Sequence, residues 1–312
     1  MPRGSRWKGV KMANAKEIKD RMDGIRETQK ITKAMYLISS AKMSKAKAEL
    51  DKTRPYFNAL QAEIKRIFRT AGDVDSKYFY PDDALDHPDG VFACLVITAD
   101  KGLAGTYNQN VIKEANKLLA EHPETKLFVV GEYGRHYFSQ KGIPIERSFL
   151  YTAQNPTMYR AREICDVLLS KFLSGAVSKI ILLYTDLKNG FETESKYVRL
   201  IPFHKDQFRT HENEKVVSVP FEFTPSVSEV LDSIMQSYIS GYIYSALVDS
   251  FCSEQQARMV AMDGANRNAE KLLKELSVQY NTVRQSAITM SITEVSAGAK
   301  AQRKKREMRG AI

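Results

Sequence analysis

Long apolar runs and clustered cysteines are both missing from this sequence of 312 residues. The longest apolar candidate, residues 91–98 (VFACLVIT), is far shorter than the roughly 20 apolar residues that a membrane-spanning helix needs. Three cysteines, Cys94, Cys165 and Cys252, lie far apart and form no C-x-x-C motif, which argues against a thiolate metal site. We therefore expect a chain without a membrane span, whose thiols are reduced and buried.

Signatures of catalysis are also missing. The sequence contains no serine elbow, no paired-carboxylate motif and no cysteine–histidine pairing. Asp100 and Asp186 follow expected strands, where α/β enzymes place catalytic groups, but aspartate serves equally well there as a turn or cap residue. Five histidines show no metal-ligand spacing: His87, His122, His136, His204 and His211. The sequence thus favours a protein that is not an enzyme and predicts neither a cofactor nor a metal.

Acidic residues are scarce at both ends of a chain whose formal charge is +10. Residues 1–12 carry four basic side chains and no acid, and residues 300–309 (KAQRKKREMR) carry six basic side chains against one glutamate. Basic ends can bind nucleic acid or an anionic surface. Solvated, poorly ordered termini also explain them, and this is the interpretation we prefer.

The N-terminal segment, residues 13–70, has the apolar spacing of a coiled-coil helix. A 4-3 pattern begins at Ile18 and Met22 and continues to Ile67. Polar residues interrupt it in the middle, and Pro55 is expected to kink or end the helix. Residues 28–47 hold five lysines and no acid, although like charges at helical spacing repel one another. An acidic partner surface would remove that repulsion.

The C-terminal segment carries a longer pattern of the same kind, from Val227 to Met290. No proline follows Pro225, and Ser226 is a plausible helix start. Residues 226–298 alone would form a helix on the order of 110 Å. We expect it to pair antiparallel with the N-terminal helix. The remainder must protrude alone or lie inside another protein.

The middle of the chain alternates between strands and helices. Residues 91–98, 126–131 and 180–185 are expected to be buried strands, and residues 196–203 a further strand. Helices are expected near residues 108–121, 132–141 and 156–174. This order predicts an α/β domain with a parallel-sheet core, inserted between two halves of a long coiled coil. The expected divisions are residues 1–12 (disordered extension), 13–70, 71–222, 223–299 and 300–312 (basic tail).

Residues 98–108 (TADKGLAGTYN) form a glycine-containing turn between an expected strand and an expected helix. Such a turn can cradle a phosphate on its backbone N–H groups. Gly102 and Gly105 are three positions apart, which matches neither G-x-G-x-x-G nor a Walker loop. A tight connection is the better explanation, with nucleotide binding as the alternative.

Four segments together resemble the gamma subunit of rotary F-type ATP synthases of the bacterial type. Residues 15–46 (AKEIKDRMDGIRETQKITKAMYLISSAKMSKA) resemble its N-terminal helix. Residues 253–265 (SEQQARMVAMDGA) and 280–299 (YNTVRQSAITMSITEVSAGA) resemble its C-terminal helix, and TADKGLAGTYN resembles its central turn. The likeness spans about residues 13–299.

The resemblance implies a Rossmann-like central domain and a mechanical role. The family's gamma subunit is a central shaft inside a ring of three alpha and three beta subunits. Its foot stands with the epsilon subunit on the membrane-embedded c-subunit ring. Ion flow turns this foot, and the shaft drives each beta subunit through its catalytic states in turn. The resemblance therefore implies a non-catalytic rotor on the cytoplasmic face of the bacterial plasma membrane, with no cofactor and no nucleic acid partner.

The resemblance also implies particular contact residues. Beta-subunit contacts are implied for Met35, Lys30, Lys33, Lys101, Arg284 and Gln285. Contacts with the c ring and the epsilon subunit are implied for Phe221, Glu222, Phe223 and Thr224. The family often has Tyr and Glu in that foot segment, where this chain has Phe221 and Thr224.

Two other classes of protein stay open from the residues alone. A coiled-coil protein that binds nucleic acid would explain the basic ends, and it predicts steeply salt-dependent binding of DNA. A nucleotide-binding enzyme would use the turn at residues 98–108, and it predicts thermal stabilisation of the isolated chain by ATP or NAD.

Overall fold

The computed structural model describes residues 15–71, 74, 76–80, 90–150, 153–188, 192–205, 208 and 222–309, with the backbone alone for 192 and 304–309. The chain divides into two compact units. Of the described residues, the coiled-coil unit contains 15–36 and 262–309, and the α/β unit contains those between 37 and 261. Helix α1 (Ala15–Ala71) and helix α5 (Val227–Arg309) each contribute residues to both units.

A five-stranded sheet forms the centre of the α/β unit, with strand order β3-β2-β1-β4-β5. The first four strands are parallel, and β5 runs antiparallel to β4. The strands are β1 (Phe92–Ile97), β2 (Lys126–Val130), β3 (Arg147–Phe149), β4 (Lys179–Lys188) and β5 (Glu192–Ile201). The helices between them are α2 (Tyr107–Glu121), α3 (Glu132–Gln140) and α4 (Met158–Leu173).

The predicted α/β domain is therefore confirmed, with three differences in the sheet. The short edge strand β3 was missed because only three residues form it. The strand expected at residues 196–203 begins earlier, at Glu192, and returns from β4 as a hairpin, so it is antiparallel. Strand β4 continues to Lys188, so Asp186 lies within the strand and does not follow it.

Successive residues of the central strands are buried on opposite faces of the sheet, so both faces are covered. Cys94 and Val96 of β1 pack with α2 and with Phe138 of α3. Leu95 and Ile97 of β1 lie in the larger core, which α4 and the α/β-unit parts of α1 and α5 complete. A sheet that is buried on both faces explains the nearly continuous apolar runs in its strands.

Pro55 was expected to kink or end the first helix, but α1 continues past it to Ala71. Leu50, Ile64 and Ile67 are buried in the larger core together with Leu231 and Met235 of α5. This packing on both sides of the proline offsets the helix hydrogen bond that proline cannot make.

The coiled-coil unit confirms the antiparallel pairing. Ile18 and Met22 of α1 pack with Leu276 of α5, and Leu273, Tyr280 and Val283 complete this cluster. Further along α1, Gln29 Nε2 donates to Glu270 Oε1 at 3.3 Å and Thr32 Oγ1 donates to Asn266 Oδ1 at 2.5 Å. Polar pairs at seam positions weaken a coiled coil but specify its register.

Helix α5 begins as predicted and ends later than predicted. The backbone N–H of Glu229 donates to Ser226 Oγ at 3.3 Å, so Ser226 caps the first turn. At the other end the helix continues to Arg309 and includes the basic stretch that was expected to be a tail. Residues 284–303 are all exposed. Among the described residues, no helix has the length and apolar character that crossing a membrane requires.

Candidate functional site

The lysines proposed to contact a beta subunit lie on the exposed side of α1. Lys30 pairs with Glu27 at 2.7 Å, and both side chains are about 70% exposed. Exposed pairs of this kind contribute at most about 1 kcal/mol, so Lys30 can exchange its partner readily. Lys33 is exposed and has no ion pair with any residue that the structure describes, while Met35 is half-buried.

The side chains of Arg284 and Gln285 are exposed on the surface of α5. They follow Val283 directly, which is the last α5 residue in the cluster around Ile18. Gln29, the neighbour of Lys30 on α1, pairs with Glu270 on α5. Glu270 precedes Arg284 by 14 residues, which is roughly 20 Å along the helix. The structure therefore places the two proposed contact groups at different levels of the coiled-coil unit.

Lys101 lies in a turn whose backbone is held in place from several sides. The N–H of Ala99 donates to Asn108 Oδ1 at 2.9 Å. Thr98 Oγ1 donates to Val130 O at 2.8 Å and accepts from the N–H of Gly134 at 3.0 Å. Asp100 Oδ1 accepts from the N–H of Glu132, the first residue of α3, at 2.9 Å. Asp100 thus has the capping role that the sequence left open.

These contacts disfavour the phosphate-binding alternative for the turn at residues 98–108. The N–H groups of Thr98 and Ala99 are already bound within the protein. The carboxylate of Asp100 lies in the same turn, and Glu254 lies close enough that the charge of Asp100 raises the pKa of its carboxyl. A phosphate in this turn would meet the negative charge of these carboxylates and would find the N–H groups of Thr98 and Ala99 already engaged, which disfavours a phosphate cradle.

A buried ion pair behind this turn was not predicted from the sequence. Glu254 and Arg258 pair at 2.6 Å, with side chains only 7% and 10% exposed. Burial raises the pKa of the Glu254 carboxyl, and the guanidinium of Arg258 opposes that shift. The available signal was the Glu–Arg spacing of four within SEQQARMVAM, but only the structure shows that this face of α5 is covered.

A second polar cluster joins four elements of the α/β unit. Burial raises the pKa of Asp249 on α5 to about 6, and the neighbouring Asp186 adds to the shift. Ser245 Oγ, which donates to Asp249 Oδ2 at 3.4 Å, opposes the shift together with Arg54 and Lys196. Lys196 of β5 forms its own ion pair with Asp186 of β4. The sequence could not reveal this cluster because its members are far apart along the chain.

The three thiols are buried, as predicted. Burial raises the pKa of Cys165 and of Cys252 to about 12, and it raises the pKa of Cys94 still further. Thiols with such pKa values are protonated and unreactive near neutral pH. Within the described part of the chain, no group of three or more His, Cys, Asp or Glu residues could hold a metal ion.

The proposed foot segment divides into exposed and packed residues. Glu222 and Thr224 are exposed, whereas Phe223 is half-buried and packs against the larger core. Phe221 lies outside the described residues. Glu222 and Thr224 are therefore the positions at which a partner can be contacted without disturbing the core.

Comparison with known proteins agrees with this architecture. Relatives named ATP synthase gamma chain include one from Caldanaerobacter subterraneus subsp. tengcongensis, 41% identical over 292 residues that cover 91% of this chain and 98% of the relative. Another, from Acetivibrio thermocellus, is 39% identical over 295 residues, covering 93% of this chain and 99% of the relative.

Solved structures share the fold at low sequence identity. A chain of the Euglena gracilis mitochondrial ATP synthase (OSCP/F1/c-ring, rotational state 3) has a TM-score of 0.62 at 15% identity, covering 92% of this chain and 94% of that one. A chain of the Tetrahymena thermophila mitochondrial ATP synthase (central stalk/c-ring) has a TM-score of 0.55 at 22% identity, covering 75% and 99%. A model of the ATP synthase family matches residues 14–302. The chain belongs to the gamma-chain family of ATP synthases.

Proposed function

We propose that this chain is the central rotor shaft of an F-type ATP synthase. It couples ion-driven rotation of a c-subunit ring to successive conformational changes of three catalytic beta subunits. Its partners are the alpha and beta subunits, the epsilon subunit and the c ring. The chain itself performs no catalysis, and it is peripheral to the cytoplasmic face of the bacterial plasma membrane through the c ring.

The observation that carries this proposal is the change in burial along α5. In the coiled-coil unit, Leu273, Leu276 and Tyr280 pack against α1, but every residue from 284 to 303 is exposed. A single exposed helix of this length has no packing to maintain it in isolation, since helical stability comes mainly from tertiary contacts. A surrounding ring of subunits would supply those contacts.

The surface chemistry supports rotation within such a ring. Lys30, Lys33, Arg284 and Gln285 are long polar side chains that can exchange partners. Contacts of this kind do not anchor a shaft permanently, because exposed charge pairs are individually weak. If shaft angle changes nucleotide affinity, nucleotide occupancy must bias shaft angle by the same coupling free energy.

Reconstitution with cognate alpha and beta subunits tests the proposal. Steady-state ATP hydrolysis is measured with the full chain, without it, and with a chain that ends at Gln279. We expect a stable complex and sustained turnover with the full chain and reduced turnover with the truncated chain. Failure of the full chain to enter a complex with cognate subunits would refute the proposal.

A further inference from the structure

The last turns of α5 carry a dense positive charge. Residues 300–309 hold six basic side chains and one glutamate: Lys300, Arg303, Lys304, Lys305, Arg306 and Arg309, with Glu307. The sequence predicted a solvated tail, but the helix continues through this whole stretch. The family model matches only as far as residue 302, so most of the stretch lies beyond the match. The family likeness therefore assigns it no role.

Local helix chemistry does not explain this charge. Cations near a helix C-terminus are favourable, but the effect falls off within the last turn, which begins at Arg306. Lys300 and Arg303 precede that turn. Both are exposed, and neither forms an ion pair with a side chain that the structure describes. Because like charges three and four positions apart repel one another, the stretch destabilises the free helix, and an anionic partner would remove that repulsion.

The charge is spread around the helix axis instead of lying along one side. Successive residues of an α-helix are about 100° apart around its axis. The six basic positions therefore leave no gap wider than about 100°. By contrast, Lys30 and Lys33 are separated by only about 60°, so they lie on one side of α1. A partner that surrounds the end of α5 would meet positive charge at every angle.

The preceding part of α5 indicates that this partner is a protein. No lysine or arginine lies between Arg284 and Lys300. Within that interval Ile288, Ile292 and Val295 are each more than half exposed. Nucleic acid binds mainly through its phosphates and would leave these apolar side chains in water. A membrane surface favours a helix that lies flat with its charges on one side. A protein can cover an apolar segment and present carboxylates to the basic segment that follows.

We propose that residues 300–309 form an electrostatic bearing, a positively charged shaft end that turns within a collar of carboxylates on the surrounding protein subunits. This proposal rests on the rotor function. Because the charge is spread around the axis, its attraction to the collar changes little as the shaft turns. The collar thus holds the end of α5 near the axis without favouring one angle. A one-sided charge would favour particular angles and oppose rotation away from them.

Two triple variants separate the amount of charge from its distribution. The one-sided variant is Lys300→Gln with Arg303→Gln and Arg306→Gln, and the spread variant is Lys300→Gln with Lys305→Gln and Arg306→Gln. The first leaves its three remaining basic positions within about 140° of one another, and the second leaves them about 100–140° apart around the axis. Glutamine keeps a good helix former at each position.

A third variant controls for total charge. It combines Lys113→Gln, Lys117→Gln and Lys141→Gln, which remove three exposed positive charges from the α/β unit. Any effect of the two tail variants that this control shares is due to net charge and not to the end of α5.

Hydrogen exchange tests whether the collar exists. When the full chain assembles with its cognate subunits, we expect amide exchange in residues 300–309 to slow by roughly tenfold or more relative to the free chain. This protection should weaken at high ionic strength, because salt screens exposed charges. Both tail variants should weaken it too, and the control should not. Exchange that assembly leaves unchanged, or protection that is equal at low and high salt, would overturn the proposal.

The free chain tests the other anionic partners. Its exchange is measured with vesicles that contain anionic lipid and, separately, with duplex DNA. We expect neither to protect residues 300–309 as well as assembly does. If vesicles or DNA protect this stretch and assembly does not, the partner is a lipid surface or a nucleic acid, and the bearing is wrong.

Rotation of single complexes tests the even distribution of charge. We expect ATP-driven rotation by the spread variant to show the same pause times as the wild type. The one-sided variant should pause roughly twofold longer or more at particular angles, because its attraction to the collar varies with angle. Equal pauses in both tail variants would overturn the bearing. If the wild-type chain does not assemble, the rotor function fails and the bearing with it. If the wild-type complex rotates while residues 300–309 stay unprotected, the bearing fails alone.

Discussion

The ring of Phe57 on α1 lies directly against Gly241 on α5, so closely that a Cβ built at position 241 would overlap the ring. Glycine is otherwise unfavourable inside a helix by about 1 kcal/mol relative to alanine. Its presence at position 241 is explained by this contact, which lets the two helices approach closely at that level of the α/β unit.

Gly241→Ala should therefore destabilise the chain, although alanine favours the helix. Overpacking typically lowers the free energy of unfolding by about 1–3 kcal/mol, which exceeds the gain in helix propensity. Chemical denaturation of the full chain measures the difference. Gly264→Ala is the control, because no atom lies within 4 Å of a Cβ there, and it should stabilise the helix slightly. Equal stability of both variants would contradict the proposed contact.

Asp249 predicts a pH dependence of stability. Its pKa is raised from 3.8 to about 6 by burial and by Asp186, so the folded state binds the proton more tightly than the unfolded state. The protonated Asp249 carboxyl therefore stabilises the folded state fully below about pH 4, and this contribution is lost as the pH rises through about 6. Two pKa units correspond to about 3 kcal/mol at most.

Asp249→Asn removes this titration. We expect the variant to unfold at higher denaturant concentration than the wild type at pH 8, and the difference to shrink or reverse at pH 4. The exposed carboxylate Asp20 supplies the control variant Asp20→Asn, which should change little at either pH. A wild-type advantage at pH 8 would show that Arg54 and Lys196 outweigh the burial of Asp249.

Arg284 and Gln285 are predicted to act only through a partner. Both are exposed, so Arg284→Ala with Gln285→Ala should leave the unfolding of the free chain unchanged. In the complex, losing hydrogen bonds that involve a charged group should lower ATP turnover by roughly tenfold or more. Ser286→Ala, at the next exposed position, is the control. Normal ATP turnover by the double variant would show that Arg284 and Gln285 are not part of the proposed contact.

Lys30 and Lys33 are predicted to face acidic surfaces of the beta subunits. Replacing both by glutamate should slow ATP turnover, and raising the ionic strength should reduce the difference from the wild type, because salt screens exposed charges. Lys52→Glu is the control, since Lys52 is an exposed α1 lysine outside the proposed contact and pairs locally with Glu49. If replacing Lys30 and Lys33 by glutamate leaves ATP turnover unchanged, an electrostatic role of these lysines is excluded.

Periodic features of the sequence predicted most of the fold. The seam residues Ile18, Met22 and Leu276 are buried as the 4-3 spacing required, because helical period alone decides which side of a helix is apolar. The continuous apolar runs likewise identified β1, β2 and β4. The direction of β5 was missed because a short hairpin and a crossover connection leave similar patterns in the strand itself.

The sites depended on information that is not local. Arg258 is basic and lies in a helix, which ordinarily predicts a solvated side chain, yet it is buried against Gly102. Asp249 and Asp186 are 63 residues apart in the sequence and interact only because α5 packs against β4. Propensity and period carry no signal for such contacts, so they emerge only from the assembled structure.

Observing rotation of single complexes tests the central claim most directly. The three native cysteines are buried and unreactive, so Glu124→Cys, at an exposed position, gives one site for attaching a bead to the chain. With the alpha and beta subunits fixed to a surface, the account predicts that ATP drives the bead in one direction with three pauses per turn. A complex that hydrolyses ATP while the bead only fluctuates about one angle would contradict the rotor function.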